Sequence, residues 1–393
     1  MRIFPKKDII PIIITQIYFK DKYGNINSYV EMNPSMHIDE NGNTSILVRS
    51  VNYKKYSLKD YTLYDEVSNS IYYILEGKIN NTKLDIENFD YKILEYHYNL
   101  PLYPSYWKGV EDIRFINKNT ILVNVPELHE GGKPAIFKAE INNNIIHNFT
   151  SCKPNKVSEK NWMPYLDSVT NINKVIYSLQ PFIIKSIEED HFEEIELSEE
   201  LKEKIQGYHG STNRIEINNY ERLFLIHINK EKTIHRWLLF HTHSKTIVVS
   251  EEFTFFKNSY IEFSCSLNKY KDRIFLTVGV NDNKAYIIET TFEDILSTFT
   301  RNNEENYPTI VTMLYDIRSM EKNSIERNRK LESYIDFSKQ FLLRLPFPIL
   351  FFIDENTHVY NAILNFRKEL NLLDKTYIYI QDFKKTYFYK HLS

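Results

Sequence analysis

Glycine is the first shortage, with 9 among 393 residues. It leaves little room for glycine-rich phosphate loops. "GYHGSTNR", starting at Gly207, lacks the glycine-lysine pattern and any following helix, so it reads as a tight turn presenting His209, Ser211 and Asn213. Cysteine is rarer still. Cys152 and Cys265 cannot build a disulfide framework and show no metal-type spacing, which makes a reducing compartment such as the cytoplasm the default. Long hydrophobic runs are missing too: "IIPIIIT" from Ile9 and "LPFPILFFI" from Leu345 carry prolines and fall well short of the roughly 20 residues that span a bilayer. No signal peptide, anchor or membrane partner is expected. Nor is there an excess of one charge; a formal net charge of -3 argues against a nucleic-acid partner.

What is present is aromatic and β-branched. Tyr, Phe, Asn, Lys and Ile crowd the chain in the manner of an AT-rich coding genome, so the sequons at Asn43, Asn80 and Asn148 are weak evidence of glycosylation. To about residue 300, short alternating or apolar runs such as "SILVRSV", "TILVNV", "RLFLIHI" and "DRIFLTVGV" alternate with Asn/Lys/Asp turns, the signature of strands. One helix interrupts them, the acidic "ELSEELKEKI" from Glu196 to Ile205, read as a solvated connector.

A longer period overlies the strands. A polar cluster opens an apolar strand at Asn33, Glu111, Asn161, Ser211 and Glu262, the last four about fifty residues apart, and the first gap is lengthened by an insertion around 80–105. Five units of three or four strands predict a mainly β fold, a five-bladed β-propeller over residues 1–305. A β-sandwich is the alternative, but it leaves the placement of the clusters unexplained. In a propeller the first strand of each blade lines the axis, so Asn33, Glu111, Asp112, Lys160, Asn161, Ser211, Asn213 and Glu262 would converge on one funnel.

Residues 306–393 change pattern. "PTIVTMLYDI", a helix stripe of Leu331, Tyr334, Ile335, Phe341, Leu342 and Leu345, "PFPILFFID", a second stripe of Val359, Ile363, Phe366, Leu370 and Leu373, and "KTYIYI" predict a small βαβαβ, Rossmann-like α/β segment. Ligands of such sheets lie beyond the strand C-termini, which nominates Asp316 and Asp354; the plainer reading is a polar residue ending each strand.

In their order, "NPSM" with "VRSVNY", "GVEDIRF", "EKNWMPY", "IYSLQPF", "GSTNRIEI" and "IEFSCSL...LTVGVND" resemble the five-bladed propellers of the mannoside-phosphorylase-like glycosidases, over about residues 28–295. Related propellers occur beside glycosyltransferases in bacteria and giant viruses; a viral source would make the compartment the cytoplasm of an infected host cell. The tail resembles the opening part of the HtrL/YibB-like glycosyltransferase group. The resemblance implies a carbohydrate-active protein of glycan synthesis or modification, with a glycan or glycoside as ligand and a glycosyltransferase domain or partner.

It also implies roles. Asp112 matches the family's general acid in "EDIR", and Glu262 would face it from the fifth blade, since glycosidic cleavage needs an acid and an attacking group on opposite sides. The hydrolase branch places a carboxylate on the first blade, where this chain has Asn33, an amide that can bind a sugar but cannot act as a base. Phosphorolysis avoids that need. No cofactor is expected, but inorganic phosphate would be co-substrate, cradled by Arg114, Lys160, Arg214, His235 and Arg236. Glu111, Trp162, His209 and Asp282 complete the expected substrate contacts.

Plainer readings stand beside these. Arg114, two residues beyond Asp112, would share its strand face and could pair with it, making the cluster a structural turn. Trp107 and Trp162 could stack on sugars or fill wedges between blades. His235, His241 and His243 could suggest a metal, but lack a spaced carboxylate, so no metal site is predicted. The alternative function is a non-catalytic glycan-binding propeller accessory to a glycosyltransferase.

Overall fold

The computed structural model describes residues 2–14, 17–55, 61–80, 84–152, 158–167, 170–189, 191–299, 310–314, 331–345, 348–353 and 357–380. The chain divides into two compact units, residues 1–300 and 301–393.

The first unit is mainly β, and its described residues carry five sheets of four or more strands. The first sheet orders Val30–Ile38, Asn43–Val51, Ser68–Lys78 and Asp90–Ile93 from inside outward. Asp90–Ile93 lies in the region expected to be an insertion; it pairs antiparallel with residues 73–76 as an outer strand. The second sheet is Glu111–Phe115, Thr120–Asn124, Ile136–Asn142 and Ile145–Ser151, with Glu95–Tyr96 at its edge. The third comprises Met163–Asp167, Ile172–Leu179, Phe182–Ser186 and Phe192–Ile195. The fourth centres on Glu221–Asn229 and Thr233–His241, and the fifth on Glu262–Tyr270, Arg273–Val280 and Lys284–Thr290.

Each sheet shares an apolar core with the next. Leu47 and Tyr72 pack with Ile113 and Val123; Ile116 and Leu122 with Trp162 and Val175; Tyr165 and Ile176 with Phe224 and Phe240. Leu225 and Trp237 pack with Leu267 and Leu276, and Phe275 and Ile287 return to Met36 and Val48 of the first sheet. The ring of cores is closed, a propeller-like arrangement in which every sheet buries both faces. The N-terminus stitches it: Asp8–Ile12 is the outer strand of the fifth sheet, and Arg2–Ile3 pairs with Phe253–Thr254 of the fourth.

Inner strands carry bulges at their starts. Pairing shifts between Met32 and Ser35, between Glu111 and Arg114, and between Phe263 and Ser266. Asn33 (φ 40°), Asp112 (φ 47°) and Asn161 (φ 66°) all adopt the left-handed region, which Asn and Asp tolerate best after glycine. Gly109 (φ +84°) precedes the second bulge, and a Cβ there would collide with the Ser70 carbonyl. Gly109→Ala should therefore destabilise by about 2 kcal/mol or more, read as a lowered urea midpoint. A midpoint equal to that of the wild type would refute the close approach.

The connector helix forms over Glu199–Lys204, with the Ser198 hydroxyl accepting from the Leu201 N–H. A second short helix, Phe292–Leu296, is capped by Thr291; its five residues are too few to show a period in the sequence.

In the second unit, Ile310–Leu314, Ile349–Ile353 and Thr376–Ile380 form a parallel sheet, with helices Leu331–Gln340 and Thr357–Glu369 between consecutive strands. Ile335, Val359 and Ile363 are buried as the stripes predict, but Tyr334 and Phe341 are exposed. The first helix ends at Gln340, so Phe341 falls outside its regular face. Asp316 and Asp354 lie outside the described residues. No described helix is long and apolar enough to cross a membrane.

Candidate functional site

The bulge at the start of the second sheet organises the site. An extra residue breaks the two-residue alternation of a strand, so Asp112 and Arg114 do not present their side chains together as regular spacing would have them. The Arg114 guanidinium bonds the backbone carbonyls of Asp112 (3.0 Å) and Ser211, reaches Asn161 Oδ1 at 3.5 Å, and lies 5.6 Å from the Phe263 ring. It is 2% exposed. The Asp112–Arg114 pair of the plainer reading is therefore replaced by a strut joining the second, third and fourth sheets.

The cation that meets Asp112 comes from elsewhere. Arg49, on the second strand of the first sheet, donates to Glu111 Oε1, lies 3.4 Å from Asp112 Oδ1, and is fixed by Nε to Ser70 Oγ at 3.0 Å. Asn33 Nδ2 donates to the same Asp112 Oδ1 at 3.0 Å. Glu111 Oε2 accepts from Asn124 at 3.1 Å. Asp112 Oδ2 has no hydrogen-bond partner among the described residues, and the side chain is 17% exposed. Burial holds the Glu111 carboxyl above its ordinary value; the Arg49 charge opposes this and the Asp112 charge adds to it. Sequence reasoning missed Arg49. The available signal was an arginine inside "SILVRSV", since a cation in a buried strand must have partners.

Other expected residues join the neighbourhood. Lys160 is exposed, its charge acts on Glu111 and His209, and it makes no ion pair among the described residues. His209 is exposed opposite His227, whose Nδ1 lies 2.7 Å from Ser211 Oγ. Asp282 pairs with Lys55 at 3.1 Å and, with Glu111 and Asp112, acts on the buried Tyr53 hydroxyl.

Several expected residues turn away. Glu262 is 1% exposed; its carboxylate accepts from Phe255 N (2.7 Å), Phe256 N (2.8 Å) and the Ser259 hydroxyl, and lies 3.2 Å from His235 Nε2. Burial raises its carboxyl pKa, but these hydrogen bonds and the His235 charge outweigh that and hold it below the ordinary value. Glu262 is thus a staple between the fifth sheet and the fourth, its two oxygens taking three donors and facing His235. Trp162 is 2% exposed in the wedge between the second and third sheets, with Lys185 Nζ 4.9 Å over its ring. Asn213 Oδ1 accepts from Leu267 N at 2.7 Å, tying two sheets together. Arg236 bonds Ser250 O and Glu252, and Arg214 bonds Ile116 O and Glu216. His235 faces Glu262, whereas His241 Nδ1 takes the Ser244 N–H at 3.0 Å, so the histidines serve separate partners. Among the described residues no group of three or more His, Cys, Asp or Glu could hold a metal ion.

His227 yields a pH prediction. Burial, and then the charges of His235, His209, Arg114 and Lys160, hold its pKa well below 6.5, so the folded chain keeps it neutral where the unfolded chain binds a proton. Its contribution is complete above about pH 6.5 and is lost as pH falls below that. His227→Gln should flatten the fall of stability between about pH 6.5 and 5 by up to one proton, or about 1.4 kcal/mol per pH unit, measured by urea unfolding. An unchanged slope would mean that His227 is protonated in the fold.

No family model matches the sequence, and no curated protein matches it. Solved structures similar to this chain include a β-1,2-mannobiose phosphorylase from Listeria innocua, 15% identical with a TM-score of 0.49 over 76% of this chain and 99% of that one. A glycosyl hydrolase from Bacteroides ovatus is 13% identical, with a TM-score of 0.49 over 74% and 93%. A GDP-Man-dependent mannosyltransferase from Leishmania mexicana is 11% identical, with a TM-score of 0.43 over 67% and 85%.

Proposed function

We propose that the protein is carbohydrate-active: the closed ring of sheets is a five-bladed propeller whose mouth acts on glycosides, with Asp112 as the proton donor. One observation carries this reading. Asp112 has one carboxyl oxygen fixed by Asn33 and Arg49 and the other unpartnered among the described residues, on a bulge that sets the side chain's direction. A carboxyl placed in this way can protonate a glycosidic oxygen with little reorganisation. The ordered motifs around "GVEDIRF" support the same assignment.

With the Glu262 carboxylate fully occupied, the group attacking the sugar from the other side would be water or inorganic phosphate and not a protein carboxylate. Lys160 remains available to an anion. Binding without cleavage is the second reading, favoured by the ties of Arg114, Arg214, Arg236 and His235 to other partners, which leave a phosphate few donors. The parallel βαβαβ arrangement of the second unit supports a glycosyltransferase-like tail and hence a place in glycan synthesis or modification.

The test is a screen of α- and β-glycosides against the whole chain, with and without phosphate, following released sugar or sugar phosphate. Product that requires phosphate supports phosphorolysis, and product without it supports hydrolysis. Saccharide binding by calorimetry without product supports the second reading, and the absence of both would sink the carbohydrate assignment.

A further inference from the structure

The chain has three tryptophans, and two are sealed: Trp162 is 2% exposed and Trp237 is fully buried. Trp107 is 37% exposed, between exposed Tyr106 and the bulge that carries Glu111 and Asp112. A single exposed aromatic is ordinary; what sets this one apart is that it sits on a tethered segment a few residues before the Asp112 bulge. The tethers are many. Tyr103 N donates to Glu127 O at 2.8 Å, Ser105 Oγ to Gly132 O at 3.0 Å, Ser68 N to Tyr106 O at 3.0 Å, and Gly109 N to Glu127 Oε2 at 2.8 Å. Trp107 and Lys108 pair in parallel with Ser68 and Asn69. Gly132 packs so closely on the Pro104 carbonyl that a side chain there would collide with it. The segment is thus held by the fold's own hydrogen bonds, and a pre-organised segment lowers the entropy cost of binding.

Its place is fixed relative to the acid. Gly109 packs on Ser70, whose hydroxyl holds Arg49, and the five steps of chain from Trp107 to Asp112 reach at most about 18 Å. We infer that Trp107, with the Tyr106 ring 5.6 Å away at 82°, is a stacking platform for a further sugar ring of an oligosaccharide whose reacting unit lies at Asp112. This rests on the glycoside reading and deepens it, naming the ligand as a saccharide of two or more units. An indole offers a flat apolar face to the C–H side of a pyranose and loses little side-chain freedom in doing so.

Because Trp107 is the exposed indole of the three, its fluorescence reports on the platform directly. The whole chain would be titrated with mono- to tetrasaccharides of glucose, mannose and galactose, with calorimetry in parallel. The expected result is an emission change with at least one series that grows beyond the monosaccharide and persists in Asp112→Asn. Trp107→Ala should weaken tri- and tetrasaccharide binding about tenfold, while Trp107→Phe, which keeps a ring, should retain most of the affinity. Equal binding by wild type and Trp107→Ala, or a Phe variant as weak as the Ala variant, would overturn the platform and leave the Asp112 reading intact. Binding of no saccharide by either method would overturn both.

Discussion

Asp112→Asn is expected to lower the turnover of any cleaved glycoside by about 10²- to 10⁴-fold, the usual contribution of a positioned proton donor. The substitution isolates the proton. Asparagine keeps an acceptor oxygen for Asn33 and Arg49, and it tolerates the left-handed backbone at φ 47°. What it removes is the acidic oxygen that has no partner among the described residues. The Arg49–Glu111 pair and the Arg114 strut stay in place, so the melting temperature should change little. Steady-state rates on the best glycoside, beside a thermal melt, make the measurement. A variant within twofold of wild type would remove Asp112 from the chemistry and would pass the acid role to Glu111, whose carboxyl burial already holds above the ordinary range.

Glu262→Ala should have its large effect on stability. Its carboxylate receives two backbone N–H groups and a hydroxyl from the turn before the fifth sheet and faces His235 of the fourth. Truncation leaves buried donors without an acceptor, a loss of about 3–5 kcal/mol for a buried charged group, or a melting temperature lower by roughly 10 °C. Glu262→Gln should cost less, because one oxygen remains to accept, while its amide N–H₂ would meet donors. The folded pKa lies below 4.5, so the stabilisation is present above about that pH and is lost as pH falls through the folded value. A catalytic Glu262 would behave in the opposite way, with turnover lost and melting unchanged, so the same two measurements separate the roles.

The contrast between these carboxylates shows what one sequence can disclose. Asp112 and Glu262 both stand at strand starts in polar clusters, and the fifty-residue period places both on inner strands. Their fates diverge because burial and partners come from other segments. Phe255, Phe256 and Ser259 surround Glu262 from the turn that precedes it, whereas Asp112 meets Asn33 from 79 residues away and Arg49 from 63. No local pattern encodes the encounters of Asp112. The two tryptophans beside the clusters divide in the same way, Trp162 into a wedge and Trp107 into water.

By itself the sequence determined the strand succession, the repeat, the change to helix and parallel strand after about residue 306, and the polar cluster at "GVEDIRF". These follow from periodicities of a few residues and from turn chemistry, which act locally. Only the tertiary structure decided that Asp112 pairs with Arg49 and not with Arg114, that Glu262 is a buried staple, and that the N-terminus closes the ring. The first depends on a bulge, a single extra residue that breaks the alternation on which side-chain direction is read, and on partners 63 and 79 residues away; the second depends on how the preceding turn folds over the carboxylate and seals it against His235. The third depends on two sheet edges that need hydrogen bonds and find them in the first strands of the chain.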